Sequence, residues 1–312
     1  MKTVVIGGSG HFEYAFQSAN VHSIVAYAPG SQNENLNRLK DYDQLKRYTN
    51  YIEMLAIEKP DIAIVNPHYH LNSKVLIECL KRDINCFVEK PIALSIEELN
   101  LVKEVLKVSK ATFSTMMIHR YEPWFAKAFE LVKKGDIGQV VTVQAQKSYK
   151  MGEKANWMKE KAKFGGLIPW VGAHALDWLL ALGLSELKVA FANQSNEFNQ
   201  NNGEVESNAT LVLKSKKVTA TVVLDYLRPE CANSHGDDRI RITGEKGIIE
   251  VMNQKVNVIT GHQYEIGPFE KQPNIFDHFV ESLNDEAQNR VSTSEAIALA
   301  DLCISVEKIA SI

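Results

Sequence analysis

Along the first third of the chain, short apolar runs alternate with stretches of helical spacing. The runs at 3–6, 22–27, 61–65, 84–88 and 111–115 are rich in Val, Ile and Phe and are bounded by Gly, Pro or Asn, which predicts strands. Helical spacing covers about 11–19, 50–58, 70–82 and 95–109. Lys59-Pro60-Asp61 stops one helix just before a strand, because proline cannot continue the hydrogen-bond ladder. Ser95-Ile96-Glu97-Glu98 has capping-box spacing and starts the next helix at 96. Strands that alternate with helices predict βα units and a parallel sheet.

The pattern changes near residue 120. A helix at 124–134 leads into the turn Gly135-Asp136-Ile137-Gly138. A long alternating strand follows at 139–149, with Val141, Val143 and Ala145 on one face. Further strands are predicted at 187–194, 208–214, 217–226, 239–243, 247–252 and 255–259, with Ser215-Lys216 closing a hairpin. Helices are predicted at about 173–183, 275–284 and 294–310. The stretch from Gln194 to Ser207 reads as an exposed loop, and His235-Gly236-Asp237-Asp238 as a turn. The fold expected is α/β: a dinucleotide-binding domain over 1–120 with a parallel sheet, then an α/β domain over 121–312 with a large, mostly antiparallel open sheet.

Composition narrows the function. The 312 residues are 45% hydrophobic and 23% charged, with a formal net charge of −3. That balance gives no general attraction to nucleic acid or anionic lipid, so neither is expected as a partner. No apolar stretch reaches the roughly 18 residues a membrane span requires, and Met1 leads directly into a strand without a signal-peptide pattern. Cys79, Cys86, Cys231 and Cys303 lack paired or metal-binding spacing. They read as reduced thiols of a cytoplasmic protein, and no metal site is expected.

Several segments carry candidate chemistry. In Ile6-Gly7-Gly8-Ser9-Gly10-His11-Phe12, a strand enters a small-residue turn before a helix. Such a turn lets backbone approach a pyrophosphate, or else serves only as a tight βα connection. If Gly7 is the first glycine of Gly-x-Gly-x-x-Gly, Ser9 takes the second place and Phe12 the third. The tip of the next strand, Tyr27-Ala28-Pro29-Gly30-Ser31, offers neither acid nor base. Ser31 and Gln32 can bond a ribose or a 2′-phosphate, and Arg38 or Lys40 can reach in, so NAD and NADP both stay open. Asn66-Pro67-His68-Tyr69-His70 follows a strand, with His70 at a helix start, and faces either a ligand or solvent. Glu89-Lys90-Pro91 follows another, placing Lys90 past a carboxyl end, where open α/β sheets bind ligands. In Trp170-Val171-Gly172-Ala173-His174-Ala175-Leu176-Asp177, His174 and Asp177 share a helix face. A histidine exchanges protons with a hydroxyl near neutral pH, and Asp177 can orient it or bind substrate.

In order and spacing, these segments resemble the Gfo/Idh/MocA family of NAD(P)-dependent oxidoreductases. The resemblance also rests on Arg120-Tyr121-x-Pro123 and on Gly165-Gly166 ahead of Gly172-x-His174-x-x-Asp177. It implies a Rossmann domain that binds NAD or NADP through Gly7, Gly8, Ser9, Gly10, His11, Phe12, Ser31, Asn66, Pro67, His70, Glu89 and Lys90. It implies a second domain whose sheet mediates homodimers or homotetramers. Lys90 is implied to bind the reacting oxygen, often before a cis proline, and His174 to act with it in proton transfer. Arg120, Trp170 and Asp177 complete the implied substrate set with Lys90 and His174. The implied reaction moves a hydride between nicotinamide and a secondary alcohol or ketone of a sugar, inositol or related polyol. One departure stands out: the family's second motif usually reads Asp-x-Gly-x-His, and Trp170 occupies the Asp position. An indole exchanges no proton at neutral pH, though it can stack on a sugar face. The same departure keeps a second class open, a non-catalytic nucleotide- or sugar-sensing protein.

Overall fold

A computed structural model describes residues 1–32, 34–284 and 289–311. The chain forms two compact units. One comprises Met1–Met117, Ala162–Gly165 and Pro273–Asp301, the other Ile118–Lys161, Gly166–Gln272 and Leu302–Ile312.

The first unit is built on β1 (Thr3–Ile6), β2 (Ile24–Ala28), β3 (Lys46–Arg47), β4 (Ile62–Val65), β5 (Asn85–Val88) and β6 (Phe113–Thr115). The sheet order is β3-β2-β1-β4-β5-β6 and every pair is parallel. That is the dinucleotide-binding order, with a topological switch between β1 and β4. The central strands are apolar at successive positions because the sheet is covered on both faces: Val4, Val5, Ile6 and Ile62 through Val65 are fully buried. Register sets the functional end. Ile6 pairs with Val65, and Val65 with Val88, so Gly7, Asn66 and Glu89 leave the sheet side by side.

Helices α1 (Glu13–Phe16), α2 (Tyr51–Glu58), α3 (Asn72–Leu80) and α4 (Ile96–Leu106) connect these strands. The first is far shorter than the spacing over 11–19 predicts. Ser18 Oγ turns back to donate to the Ala15 carbonyl, and the carboxylate of Asp277 takes the backbone N–H groups of Ala19 and Asn20. Both contacts draw the backbone away from helical bonding. The edge strand β3 was missed because two exposed basic residues carry no alternation.

The second unit contains α5 (Pro123–Lys134) and α7 (Ala173–Ala181); of the short α6 (Lys161–Phe164) it holds Lys161, the rest belonging to the first unit. Its strands are β7 (Val140–Tyr149), β8 (Lys188–Ser195), β9 (Asn208–Lys214), β10 (Thr219–Asp225), β11 (Gly236–Gly244), β12 (Ile248–Met252), β13 (Lys255–Ile259) and β14 (Gln263–Ile266). They run β14-β13-β12-β11-β7-β10-β9-β8; β7 and β10 are parallel and the other pairs antiparallel. Helix α5 packs on β12 and β13, and α7 on β7 and β10, so one face of the sheet is buried.

Three expectations change here. Val143 and Ala145 face inward, but Val141, nearer the strand's start, is exposed. The segment 236–238 is strand, not turn, because β11 pairs with β7 as far as Gly236 opposite Tyr149. The stretch ending at Ser207 is only partly exposed: Asn202, Val205, Glu206 and Ser207 are buried. Strand β14 escaped prediction because it is a polar, exposed edge.

Two later helices complete the described chain, α8 (Ile275–Ser282) and α9 (Thr293–Ala310). Phe276 and Phe279 of α8 pack on Phe87 of β5, with ring centroids 5.4 and 5.6 Å away. Thr293 Oγ1 accepts from the Phe113 N–H and donates to its carbonyl, covering the β6 edge. Ala296, Leu299, Ala300, Leu302 and Cys303 of α9 are buried as their spacing predicts.

The predicted start of α4 is present. Ser95 Oγ accepts from the Glu98 N–H at 3.2 Å, while the Glu98 carboxylate accepts from the Leu94 N–H at 2.8 Å. Ser95→Ala removes an N-cap and is expected to cost about 1 kcal/mol. Chemical denaturation should show a lowered midpoint with an unchanged slope.

Candidate active site

In the first unit, the turn after β1 is fitted against the ends of β4 and β5. Gly7 has φ +85°, and a Cβ there would run into the backbone of Asn66 and Pro67. A Cβ on Gly10 would collide with Asn66 Oδ1 and the Glu89 carboxylate. The Ser9 N–H donates to the Asn66 carbonyl at 2.8 Å, which holds the turn down. Small residues are needed here because other parts of the sheet already fill the space.

Glu89 organises this end of the sheet. Its side chain is fully buried. Oε2 accepts from the His11 N–H at 2.8 Å and lies 2.5 Å from His11 Nδ1. Oε1 accepts from the Lys90 N–H at 2.9 Å and lies 3.5 Å from Lys90 Nζ. Burial alone would raise this carboxyl, but the Lys90 ammonium and His11 outweigh it and hold it at about 2. Asn72 Nδ2 donates to the carbonyls of Glu89 and Pro91, at 2.9 and 2.8 Å, and the Lys90–Pro91 peptide is cis. The lysine is thus held by neighbours on both sides.

An acid that the strand-tip reading overlooked completes the turn. Glu34 Oε1 accepts from the Gly8 N–H at 3.1 Å and the Ser9 hydroxyl at 2.8 Å, and Oε2 accepts from the Gly30 N–H at 2.8 Å. Burial pushes this carboxyl up, against those hydrogen bonds. It lies six residues beyond the end of β2, in a loop whose path only the fold reveals. Arg38 bonds the Gly8 and Gly10 carbonyls at 3.3 and 3.0 Å, pairs with Glu13, and lies 4.7 Å over the Phe12 ring.

The remaining first-unit candidates differ in surroundings. Phe12 is a core residue, packed edge-on against Phe16. Ser31 is half-buried beside Glu34. Pro67 underlies Gly30, and half-buried His70 lies in the 3-10 turn Tyr69–Leu71. The Asn66 amide is buried, and neither of its polar atoms has a hydrogen-bond partner among the described residues. A glycine cradle beside an unsatisfied amide fits a polar phosphate- or amide-bearing cofactor.

In the second unit, half-buried Trp170 lies in the π-helical turn Ile168–Gly172, which runs directly into α7. His174 and Asp177 follow on α7, 7% and 2% exposed. Asp177 accepts Arg120 Nε at 3.1 and 3.0 Å and Nη2 at 2.7 Å, a fork-like pair in which both residues are buried. Two of the predicted substrate ligands therefore bind each other. The His174 ring lies 4.6 Å from that of buried His119. Among the described residues no group of His, Cys, Asp and Glu side chains could hold a metal ion, and no helix is long and apolar enough to cross a membrane.

Comparison with known proteins agrees with this geometry. Residues 1–116 match the family model described as "Oxidoreductase family, NAD-binding Rossmann fold". Residues 125–250 match the GFO/IDH/MocA C-terminal domain. The structure of an oxidoreductase from Thermotoga maritima is 36% identical, with a TM-score of 0.95 over 100% of this chain and 98% of that one. An oxidoreductase of Schizosaccharomyces pombe is 24% identical over 58% of this chain, a match spanning 52% of that relative's length. The myo-inositol 2-dehydrogenase of Thermotoga maritima is 24% identical over 71% of this chain and 66% of its own.

The Glu89 ionisation has a thermodynamic consequence. Its carboxyl titrates lower in the fold than the ordinary value of 4.5, so its contribution to stability is present above that value and is lost as pH falls toward about 2. Glu89→Gln should flatten this part of the acid limb. Thermal unfolding followed from pH 5 downward checks it: the gap between the parent protein and the variant should narrow with acidification.

Proposed function

The chain belongs to the Gfo/Idh/MocA family of oxidoreductases, and from that premise we propose that it is an NAD-dependent dehydrogenase of a secondary alcohol on a sugar, inositol or related cyclic polyol. The observation that carries the reading is the parallel β3-β2-β1-β4-β5-β6 sheet, with Glu89 joining its glycine turn to Lys90. The resemblance to the Thermotoga inositol dehydrogenase supports the substrate class. We assign 1–120 to cofactor binding and 121–312 to substrate binding and self-association into a dimer or tetramer. The open sheet face bearing exposed Val223 and Met252 suits that association. A cytoplasmic location accords with the reduced cysteines.

When bound, the nicotinamide supplies the hydride acceptor. The protein's share is to hold it and to move a proton. Gly7, Gly8, Ser9 and Gly10 admit the pyrophosphate. His11, Asn66, Pro67 and His70 line the cofactor's path, and Ser31 serves the ribose end. Glu34 is the acid that bonds ribose hydroxyls, and its negative charge disfavours a 2′-phosphate, which selects NAD over NADP. Lys90 neutralises the developing alkoxide and His174 takes the hydroxyl proton. Trp170 presents an aromatic face to the sugar. Arg120 and Asp177 act as a clamp that fixes the helix of His174. The non-catalytic alternative draws only on the absence of an acid at Trp170.

Reduced-cofactor fluorescence should show NADH binding at least tenfold tighter than NADPH, and Glu34→Ala should weaken NADH by about tenfold or more, the value of a charge-assisted hydrogen bond. Absence of binding by either cofactor would sink the dehydrogenase reading. In a screen of polyols with NAD, Lys90→Met should lower turnover on the order of a hundredfold or more. Near-parental turnover would remove Lys90 from its assigned role.

A further inference from the structure

The second unit holds an ammonium that no carboxylate meets. Lys154 lies in the loop after β7 and is half-buried. Buried Asn202 fastens that loop: its Oδ1 accepts from the Lys154 N–H at 2.9 Å, and its Nδ2 donates to the Gly152 carbonyl at 3.2 Å. The Lys154 Nζ donates to the Met151 carbonyl at 2.6 Å and stands 4.1 Å over the Tyr226 ring. Among the described residues it has no ion-pair partner, and burial by itself pushes the amine down to about 8. The Tyr226 hydroxyl is also buried and has no hydrogen-bond partner among the described residues.

The charges around Lys154 are cationic or already engaged. Lys150 gives its ammonium to the Glu230 carbonyl at 2.7 Å, an uncharged acceptor. His235, stacked on Tyr149, is held below its ordinary value by burial first and then by the charges of Lys154 and Lys150. Burial and then Glu206 push the Tyr226 phenol up, but the Glu206 carboxylate is taken by Lys161 Nζ at 2.5 Å and the Leu167 N–H at 3.0 Å. Asp238 is paired with Lys147 at 2.8 Å. An ammonium in this setting loses hydration without gaining a counter-ion. Its place in the fold bears on the site already described. Tyr226 directly follows β10, and Leu224, two residues earlier, occupies the space a Cβ on Gly172 would need. Gly172 leads straight into α7 and His174. The ammonium therefore stands past the end of the strand on which the start of the His174 helix packs.

We propose that Lys154 binds a carboxylate of the substrate, so that the polyol oxidised is a sugar acid. The inference deepens the dehydrogenase reading and rests on it. One N–H of the ammonium is spent on Met151, which leaves two for carboxylate oxygens. One positive charge matches one carboxylate. A phosphate carries more charge and favours the planar fork of an arginine. Arg228, in the loop that follows Tyr226, is committed to Ser234 and Asp237. The bound carboxylate supplies the missing counter-ion, and the fastened loop presents the ammonium without further ordering cost. An acid group anchored there fixes which hydroxyl of the chain is presented for oxidation.

The test reads Lys154 in the parent protein. NMR of protein labelled at lysine Cε, with the resonance assigned by its loss in Lys154→Arg, follows the titration of this amine with and without NADH. D-glucuronate, D-galacturonate or D-gluconate should raise the midpoint by about one pH unit or more, because a bound anion favours the charged amine, while D-glucose and D-galactose leave it in place. No shift with any of the acids overturns the proposal, as does a larger shift with glucose 6-phosphate, which marks a phosphate site instead. In turnover with NAD, the preferred acid should exceed its neutral counterpart in kcat/KM by about tenfold or more, chiefly through KM. Lys154→Met should erase that preference, and Lys154→Arg, which keeps the charge, should retain most of it. An equal loss for acid and neutral substrate in Lys154→Met shows a merely structural lysine and also overturns the proposal. NADH binding by the parent protein separates the two readings. Its absence fails the dehydrogenase assignment, while the Lys154 titration, which requires no turnover, still decides whether a carboxylate binds.

Discussion

A single buried carboxylate sets the geometry of the first unit. Glu89 leaves β5 at the level where β1 and β4 also end, and it is fully removed from solvent. An uncompensated charge in such a place costs several kcal/mol, so its partners are held tightly. The His11 N–H binds one oxygen and the Lys90 N–H the other. Gly10 must lack a side chain because the same carboxylate occupies that space. The glycine turn after β1 and Lys90 after β5 are thus two ends of one electrostatic constraint.

The second unit uses buried charge in the same way. Asp177 and Arg120 satisfy each other in a forked pair, as do Lys147 and Asp238 across two paired strands. Replacing a buried pair with apolar residues is often neutral or stabilising, so stability alone gives little reason to keep such pairs. The second pair also meets a histidine: Asp238 Oδ2 lies 3.1 Å from His119 Nε2.

Much of this was legible from residue order. The alternation of strands and helices, the proline stop at Lys59-Pro60 and the Ser95 cap are local effects, and each appears where its local physics places it. The glycine turn and Glu89-Lys90-Pro91 were legible because backbone approach and strand-end position constrain residue type. Edge strands β3 and β14 were not, since exposed polar edges lose the alternation that marks a strand. Helix α1 fell short of its pattern because Asp277, more than 250 positions away, captures the backbone that would extend it.

By itself the sequence determined the class of fold and the family, because each depends on periodicity, turn residues or motif spacing. Only the tertiary structure decided which charges meet. Glu34 lies in a loop with no strand-end signal, yet its carboxylate reaches the glycine turn. Lys147 sits on an alternating strand where an inward lysine looks like a break in pattern until Asp238, read as part of a turn, proves to be its cross-strand partner. Side-chain pairing across sheet register depends on how distant segments align, and local spacing carries no record of that alignment.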